Sequence, residues 1–292
     1  MIKCKTMRSG FVSILGRPNV GKSTLLNNLI GTKISSVTPK PQTTRHKILG
    51  ILTKDDFQIV FLDTPGIFKP SYELQKVMVK TALSTIEEAD LVILLVEPFR
   101  VEDELLKKIE KPVILAINKV DLVEKKTLLP LMDEYQKFKQ IKEIIPISAL
   151  YSQGLDDLIE TIVKYIPDHE PFYPKDMLSD RQERFFVSEI IREKIFLLYR
   201  KEVPYATSVV VDEFREKEGA KDYIRAVIYV EKPSEKAILI GNKGRALKKV
   251  GEDARKDIEK FTGRPCYLDL WVKVKKGWRR DTNEIRRFGY GL

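Results

Sequence analysis

The sequence predicts a mainly parallel α/β domain followed by a smaller α+β domain. Three observations carry this reading. Short, fully apolar runs alternate with helical patterns through about residue 165. A proline-rich stretch then breaks the pattern, and almost all of the excess positive charge lies beyond it.

Taken in order, Phe11–Leu15 is a β-rich run that ends in glycine, and Ser23–Ile30 follows it as a helix. Phe57–Leu62, Leu91–Val96, Val113–Ile117 and Ile144–Ile147 are further apolar runs of strand length. Helical patterns cover Leu74–Ala89, Glu102–Ile109, Thr127–Phe138 and Leu155–Tyr165. Strands that are apolar throughout, rather than alternating, must be buried on both faces, as in a parallel sheet with helices on either side. Ligands of such sheets sit beyond the C-terminal ends of the strands. Residues 168–174 then contain two prolines, following Pro167, and disfavour a continuous helix. The boundaries expected are residues 1–172 for the first domain, 173–180 for a linker and 181–292 for the second.

The 292 residues carry 52 Lys+Arg against 42 Asp+Glu, a formal +10. Residues 1–180 hold 25 basic and 24 acidic side chains, whereas residues 181–292 hold 27 and 18. The excess therefore belongs to the second half, where it suits a polyanionic partner. With 43% hydrophobic and 32% charged residues, the composition is that of a folded chain. The two cysteines, Cys4 and Cys266, are too few for a disulfide framework and fit a reducing cytosol. The longest aliphatic run, Leu91–Val96, is too short to span a bilayer, and Met1–Lys5 opens no signal-peptide pattern. The expectation is a cytoplasmic protein.

Three motifs fall on the predicted strand ends. Gly16-Arg17-Pro18-Asn19-Val20-Gly21-Lys22-Ser23 matches G-x-x-x-x-G-K-[ST] between a strand and a helix. Its backbone N–H groups and the helix N-terminus cradle phosphates; Lys22 reaches the β- and γ-phosphates, and Ser23 ligates Mg²⁺. Asp63-Thr64-Pro65-Gly66 follows Phe57–Leu62; Asp63 can hold Mg²⁺ through water, and the Gly66 N–H can meet a γ-phosphate. Asn118-Lys119-Val120-Asp121 follows Val113–Ile117. The Asp121 carboxylate can accept both N1–H and N2–H₂ of guanine, a donor pair adenine lacks. Asn118 can brace the loop, and the Lys119 stem can cover the base. Ser148, Ala149 and Leu150 are placed for backbone contact with guanine O6. In series, the three motifs select GTP over ATP.

Together these segments resemble those of a Ras-like GTPase. The wording of the phosphate loop, with Pro41-Gln42-Thr43-Thr44-Arg45 downstream, is closer still to the bacterial Era family. The resemblance implies that Gly16, Asn19, Val20, Gly21, Lys22, Ser23 and Thr24 hold the phosphates. It makes Thr44 the switch threonine that ligates Mg²⁺ and senses the γ-phosphate, with Thr43 as the neighbouring alternative. Lys22, Thr44 and Gly66 would carry the catalytic roles, with GTP or GDP and Mg²⁺ bound. Related GTPases with an asparagine at the Asn19 position use it beside an activating K⁺ ion, so the resemblance implies one here. One residue departs from the Ras pattern: Ile67 stands where those enzymes place a water-orienting glutamine, and isoleucine can neither orient nor deprotonate water.

In the second half, Asp180–Tyr199 reads as an amphipathic helix whose apolar stripe includes Phe185, Ile190, Ile191, Leu197 and Leu198. Thr207–Val211 and Tyr223–Val230 form a hairpin around a charged turn. Ser234–Ile240 is a short helix, Gly241-Asn242-Lys243-Gly244 interrupts it, Arg245–Phe261 resumes, and Tyr267–Val274 closes with a strand. This α-β-β-α-α-β order around a Gly-x-x-Gly loop resembles a type II KH domain. The glycines let the chain approach a nucleic-acid backbone, and Lys243, Arg245 and Lys248 supply charge around Asn242. The adjoining groove would hold about four single-stranded bases, with Ile238 or Ile240 as platforms. Beyond the last strand, Lys275, Lys276, Arg279 and Arg280 interleave with aromatics, which suits phosphate binding combined with stacking. Trp278 can either stack or pack, and Phe288 is expected to pack.

The Era resemblance further implies binding near the 3′ end of 16S ribosomal RNA, a role in 30S subunit assembly and peripheral contact with the inner face of the cell membrane. The alternatives are an RNA chaperone and a membrane-associated regulatory GTPase, each using GTP mainly as a conformational ligand.

Overall fold

The computed structural model describes residues 7–99 and 101–291. Cys4 and the Met1–Lys5 segment lie outside them. The chain divides into two compact units. One takes in the chain up to Ser35, Thr44–Lys69 and Met78–Asp180. The other takes in the chain from Arg181 together with two short segments, Ser36–Thr43 and Pro70–Val77.

The first unit begins with β1 (Arg8–Leu15), α1 (Lys22–Ile30), β2 (Ile48–Thr53) and β3 (Phe57–Asp63). Helix α2 (Glu73–Glu88) begins in the second unit and continues into the first, followed by β4 (Leu91–Val96), α3 (Asp103–Leu106) and β5 (Val113–Ile117). Helix α4 (Leu128–Gln136), β6 (Ile141–Pro146) and α5 (Leu155–Tyr165) complete it. The six strands run in the order β2-β3-β1-β4-β5-β6. Every pair is parallel except β2 with β3, which is antiparallel. Every residue of β4 and β5 is buried, as both faces of a parallel sheet require.

Three expectations change. Strand β2 was not anticipated, because Ile48-Leu49-Gly50-Ile51-Leu52-Thr53 carries a central glycine and follows a polar loop. The helix expected over 102–109 is a single turn, Asp103–Leu106, whose packing places Leu105, Leu106 and Ile109 against β4 and β5. Residues 173–180, expected as a linker, belong to the first unit. The Ile51 N–H donates to the Leu178 carbonyl at 2.9 Å, and the Ser179 hydroxyl donates to the Leu49 carbonyl. They cover the apolar side of β2 with Tyr173 and Met177.

The second unit contains α6 (Glu183–Leu198), α7 (Val203–Ala206), β7 (Ser208–Arg215), β8 (Asp222–Val230) and α8 (Pro233–Ile240). After the Gly241–Gly244 loop come α9 (Arg245–Thr262), β9 (Cys266–Val274) and the short α10 (Thr282–Arg287). The sheet order is β7-β8-β9, with β7 and β8 antiparallel and β8 and β9 parallel. Its core packs Ile191 and Ile195 of α6 and Val250, Ala254 and Ile258 of α9 onto Ile224, Ala226 and Ile228 of β8. The stripe of α6 is rotated from the expected one: Phe186, Val187, Ile190, Ile191, Ile195 and Phe196 are buried, whereas Leu197 and Leu198 are exposed. The Ser36–Thr43 segment of the same unit bonds to this helix. Arg192, fully buried on α6, donates to the Thr43 carbonyl, and Lys40 donates to the Phe196 and Tyr199 carbonyls at the end of the helix.

Candidate functional site

The first cluster lies at the C-terminal ends of β1 and β3. Helix α1 starts at Lys22 with no acidic residue in its first turn, so its N-terminal dipole is left open to an anion. Gly21 precedes it at φ 105° and the exposed Asn19 lies at φ 65°. Lys22 is 6% exposed, and its Nζ donates to the carbonyls of Gly16 (3.2 Å) and Arg17 (2.8 Å). Burial pulls its pKa down to about 8, against the opposing charge of Asp63. Thr24 follows, half-buried, one residue into the helix beyond Ser23.

Ser23 is the hub of the cluster. Its hydroxyl lies 2.7 Å from Thr44 Oγ1 and donates to Asp63 Oδ2 at 3.0 Å, while Ser35 donates to the same oxygen at 2.8 Å. Asp63 is fully buried; burial pushes its carboxyl up, and Lys22, Ser35 and Ser23 pull it back. Its Oδ1 is buried with no hydrogen-bond partner. A buried carboxylate oxygen without a donor, beside two hydroxyl oxygens, fits a hard divalent cation that takes oxygen ligands. No group of three or more His, Cys, Asp or Glu residues capable of holding a metal occurs among the described residues. Of the two candidate threonines, the geometry brings Thr44 to Ser23. Thr43 instead pairs with Thr38 (2.6 Å) and the Lys40 carbonyl (2.8 Å).

Gly66 lies against the phosphate loop: a Cβ there would sit 2.5 Å from the Pro18 nitrogen and 2.7 Å from its Cα. The next N–H, of Ile67, donates to the Gly16 carbonyl at 3.0 Å. The Ile67 side chain packs on the apolar cluster that includes Leu15 and Leu94, so it is anchored in the core rather than aimed as a base.

The second group of loops joins the ends of β5 and β6 to the phosphate loop. Asn118 is buried; its Nδ2 donates to the Val20 carbonyl at 2.7 Å, and its Oδ1 accepts from the Ala149 N–H at 2.8 Å. Asn118 is therefore a brace, and the Ala149 N–H is taken up within the protein. Ser148 is buried and spends its own N–H on the Gln153 carbonyl, while Leu150 is exposed. The Ser148 hydroxyl donates to Asp121 Oδ1 at 2.5 Å, holding an otherwise exposed carboxylate. Lys119, at φ 64°, pairs with Glu97. Sequence reasoning missed Ser35, Glu97 and Asn28, which donates to the Ala149 carbonyl. None carries a local motif.

In the second unit, Gly241 lies at φ 70°, and a Cβ there would meet the Ala246 side chain at 2.6 Å. The loop between α8 and α9 can close this tightly only with glycine there. Asn242, Lys243, Arg245 and Lys248 are exposed around it. Ile238 is 56% exposed, whereas Ile240 packs on the core, so of the two platforms only Ile238 offers a free face. A cleft of about 430 Å³ opens beside Gly244, between α9 and β9. Leu247, Gly251, Tyr267, Leu268 and Leu270 line it, with Lys248 and Arg255 at its rim. These lining residues are the ones the sequence did not single out; the four-residue spacing of Leu247 and Gly251 on α9 is their only local signal.

In the basic tail the structure decides one open alternative and corrects one expectation. Trp278 packs rather than stacks on a base: it is fully buried, donates from Nε1 to the Ala206 carbonyl at 2.9 Å and stacks on Tyr290. Arg279 grips Glu231 with two nitrogens and lies 4.9 Å over the Tyr72 ring, which commits it to packing. Lys275 pairs with Glu284 at 2.8 Å, and Lys276 and Arg280 are exposed. Phe288 packs on Trp278 and Tyr229, as expected.

Comparison with known proteins agrees with both halves. The family described as "50S ribosome-binding GTPase" matches residues 11–119, and the KH domain family matches residues 202–279. The chain is similar over 98% of its length to an Aquifex aeolicus Era variant bound to GDP·AlF4⁻, at 44% identity and TM-score 0.93, covering all of that chain. The same figures hold for an Era structure in complex with MgGDPNP and nucleotides 1506–1542 of 16S ribosomal RNA. A protein named GTPase Era from Lactobacillus helveticus (strain DPC 4571) is 47% identical over 292 residues, 98% of this chain and 97% of that protein. With both units matched in one alignment across nearly the whole length, the chain belongs to the Era family of GTPases.

Proposed function

We propose that this chain is a GTP-hydrolysing switch whose KH unit binds single-stranded RNA near the 3′ end of 16S ribosomal RNA during 30S subunit assembly. The partnerless Asp63 Oδ1 beside Ser23 and Thr44 carries the nucleotide half of this reading. The Era complex with nucleotides 1506–1542 supports the RNA half.

In this reading Ser23, Thr44 and, through water, Asp63 hold Mg²⁺ on the nucleotide phosphates. When bound, Mg²⁺ draws charge from the phosphate oxygens and lowers the cost of transferring the γ-phosphoryl group. Lys22, on breaking its two loop-carbonyl bonds, places its ammonium on the β- and γ-phosphates. The α1 N-terminus and the loop amides receive the charge that develops there. Gly66 brings its N–H to the γ-phosphate, and Ile67 contributes no proton transfer. Catalysis therefore rests on positioning and charge, and slow intrinsic turnover suits a timer. Asn19 would share in holding K⁺; equal hydrolysis rates in K⁺ and Na⁺ at matched ionic strength would remove that role.

Asp121 selects guanine, with Asn118 and Ser148 holding the loops in place. In the second unit, the Gly241–Gly244 loop, Lys243, Arg245 and Lys248 take the RNA backbone, and the α9–β9 cleft takes bases. No helix among the described residues is long and apolar enough to cross a membrane. The proposed location is the cytoplasm, with peripheral contact at the inner membrane face testable by sedimentation with anionic vesicles.

Crosslinking the protein to cellular RNA in its GTP- and GDP-loaded forms tests the whole reading. Enrichment of the 16S 3′ end that differs between the two forms is the expected result, and no enrichment in either form would overturn it. Single-turnover hydrolysis separates a switch from a chaperone that keeps GTP uncleaved.

A further inference from the structure

The face of the β7-β8-β9 sheet turned away from α6 and α9 carries aromatic residues that the core does not use. Tyr267 is 60% and Trp271 56% exposed. On the neighbouring strand Tyr223 is paired in register with Tyr267, and the two rings stack with centroids 5.9 Å apart and planes 12° from parallel. Asp269 lies between Tyr267 and Trp271 on the same face, since side chains two apart on a strand share a side. One oxygen of Asp269 accepts from Trp271 Nε1 at 2.8 Å and from the Tyr223 hydroxyl at 3.3 Å. The polar edges of Trp271 and Tyr223 are thus satisfied within the protein and their orientations fixed, leaving ring faces as the free surface.

Two further observations say what this surface takes. Tyr267 also lines the α9–β9 cleft, so cleft and sheet face are continuous across the β9 edge. Cations border the path: Lys221 at the cleft, Lys273 exposed beside Trp271, and Arg225, itself paired with Glu213, opposite Asp269. Flat, pre-oriented π faces with cations alongside fit an anionic chain of stackable groups.

We propose that single-stranded RNA held in the cleft continues across the β9 edge and stacks bases on Tyr267 and Trp271, with Tyr223 backing the platform. This extends the RNA reading above and rests on it. The surface adds affinity for RNA longer than the cleft holds, and stacking makes that extension tolerant of sequence.

The test uses the full chain loaded with MgGDPNP, the RNA spanning 16S nucleotides 1506–1542, and a fragment of about four nucleotides that fills the cleft alone. Trp271 is the exposed member of the chain's two tryptophans, so its fluorescence reports directly. The long RNA quenches it and the short one does not. Trp271→Ala weakens the long RNA about 5- to 100-fold, as loss of one stacked base does, and leaves the short one unchanged. Trp271→Phe restores most of the affinity. The unaltered emission of buried Trp278 in Trp271→Ala certifies that the variant is folded. Unquenched Trp271 at saturating long RNA, with equal affinity in Trp271→Ala, would overturn the proposal. So would self-association in sedimentation that Trp271→Ala abolishes without altering RNA affinity, which would assign the face to a second copy of the chain. If neither RNA binds the wild type, the underlying RNA reading fails instead.

Discussion

The Ser148 hydroxyl donates to the Asp121 carboxylate at 2.5 Å, tying the residue after β6 to the residue that would read guanine. The bond occupies Oδ1 and fixes the rotamer of a side chain that is otherwise exposed. Asp121→Asn replaces one acceptor with a donor, so the pair facing N1–H and N2–H₂ is lost. GTP affinity should fall by about 2–5 kcal/mol, the cost of truncating a charged hydrogen-bond partner. Xanthosine triphosphate should gain, and competition binding of the two nucleotides reads both. Unchanged GTP preference would exclude Asp121 as the guanine reader.

Asn118 spans the phosphate loop and the residues after β6 through two buried hydrogen bonds. Asn118→Ala leaves the Val20 carbonyl and the Ala149 N–H without partners, at about 1–3 kcal/mol each. The nucleotide-free protein should melt at lower temperature as a result, before any loss of base contact is counted. Calorimetry without nucleotide isolates the bracing role; an unshifted midpoint would deny it.

Gly66→Ala brings a Cβ within 2.5 Å of the Pro18 backbone nitrogen. Backbone cannot yield as a flexible side chain does, so the Gly66 segment must move away from the phosphates. A displacement of about 1 Å costs on the order of 100-fold in rate. Single-turnover GTP hydrolysis should fall by that order while GDP affinity changes less, since GDP has no γ-phosphate for Gly66 to meet.

Burial holds Lys22 at about 8, below its ordinary 10.5, when no phosphate is bound. A triphosphate beside the ammonium raises that value, so binding takes up a proton at any pH between the free and bound values. GTP affinity should therefore hold below pH 8 and decline as pH rises through it, by at most about tenfold per pH unit. Titration calorimetry at pH 8.5 in buffers of different ionisation enthalpy measures the uptake directly. Lys22→Arg, charged throughout this range, should show none.

Gly244→Asp places a carboxylate at φ 77°, where a Cβ meets nothing within 4 Å. The fold should survive, with a small cost from the left-handed backbone. The added charge repels RNA phosphates at the loop, and affinity for the 1506–1542 RNA should drop by an order of magnitude or more, a defect relative to wild type that narrows as salt rises. Normal affinity would remove the loop from the RNA path.

Much of this protein is local and was legible as such. The phosphate loop, Asp63–Gly66 and Asn118–Asp121 each join a strand end to a turn. Apolar runs such as Leu91–Val96 announce buried parallel strands because no other arrangement covers both faces. The Gly-x-x-Gly loop likewise sits between two helices that the pattern marks out. The charge split between the halves needed only counting. What local pattern cannot encode is which distant group a side chain meets.

Arg279 looks like an RNA ligand beside Lys276 and Arg280, and Trp278 could stack or pack, yet Glu231 and Tyr72 claim the first and Ala206 and Tyr290 the second. Thr43 and Thr44 are adjacent and chemically identical, and only Ser23, brought up by α1, distinguishes them. Tyr267 and Trp271 read as ordinary strand aromatics until the sheet leaves their side uncovered. The sequence by itself determined most of the elements, the family and the chemistry of the motif loops, because those depend on residues close in the chain. Tertiary structure alone decided which polar and aromatic groups are spent inside and which are left for ligand, because burial is set by residues far apart in sequence.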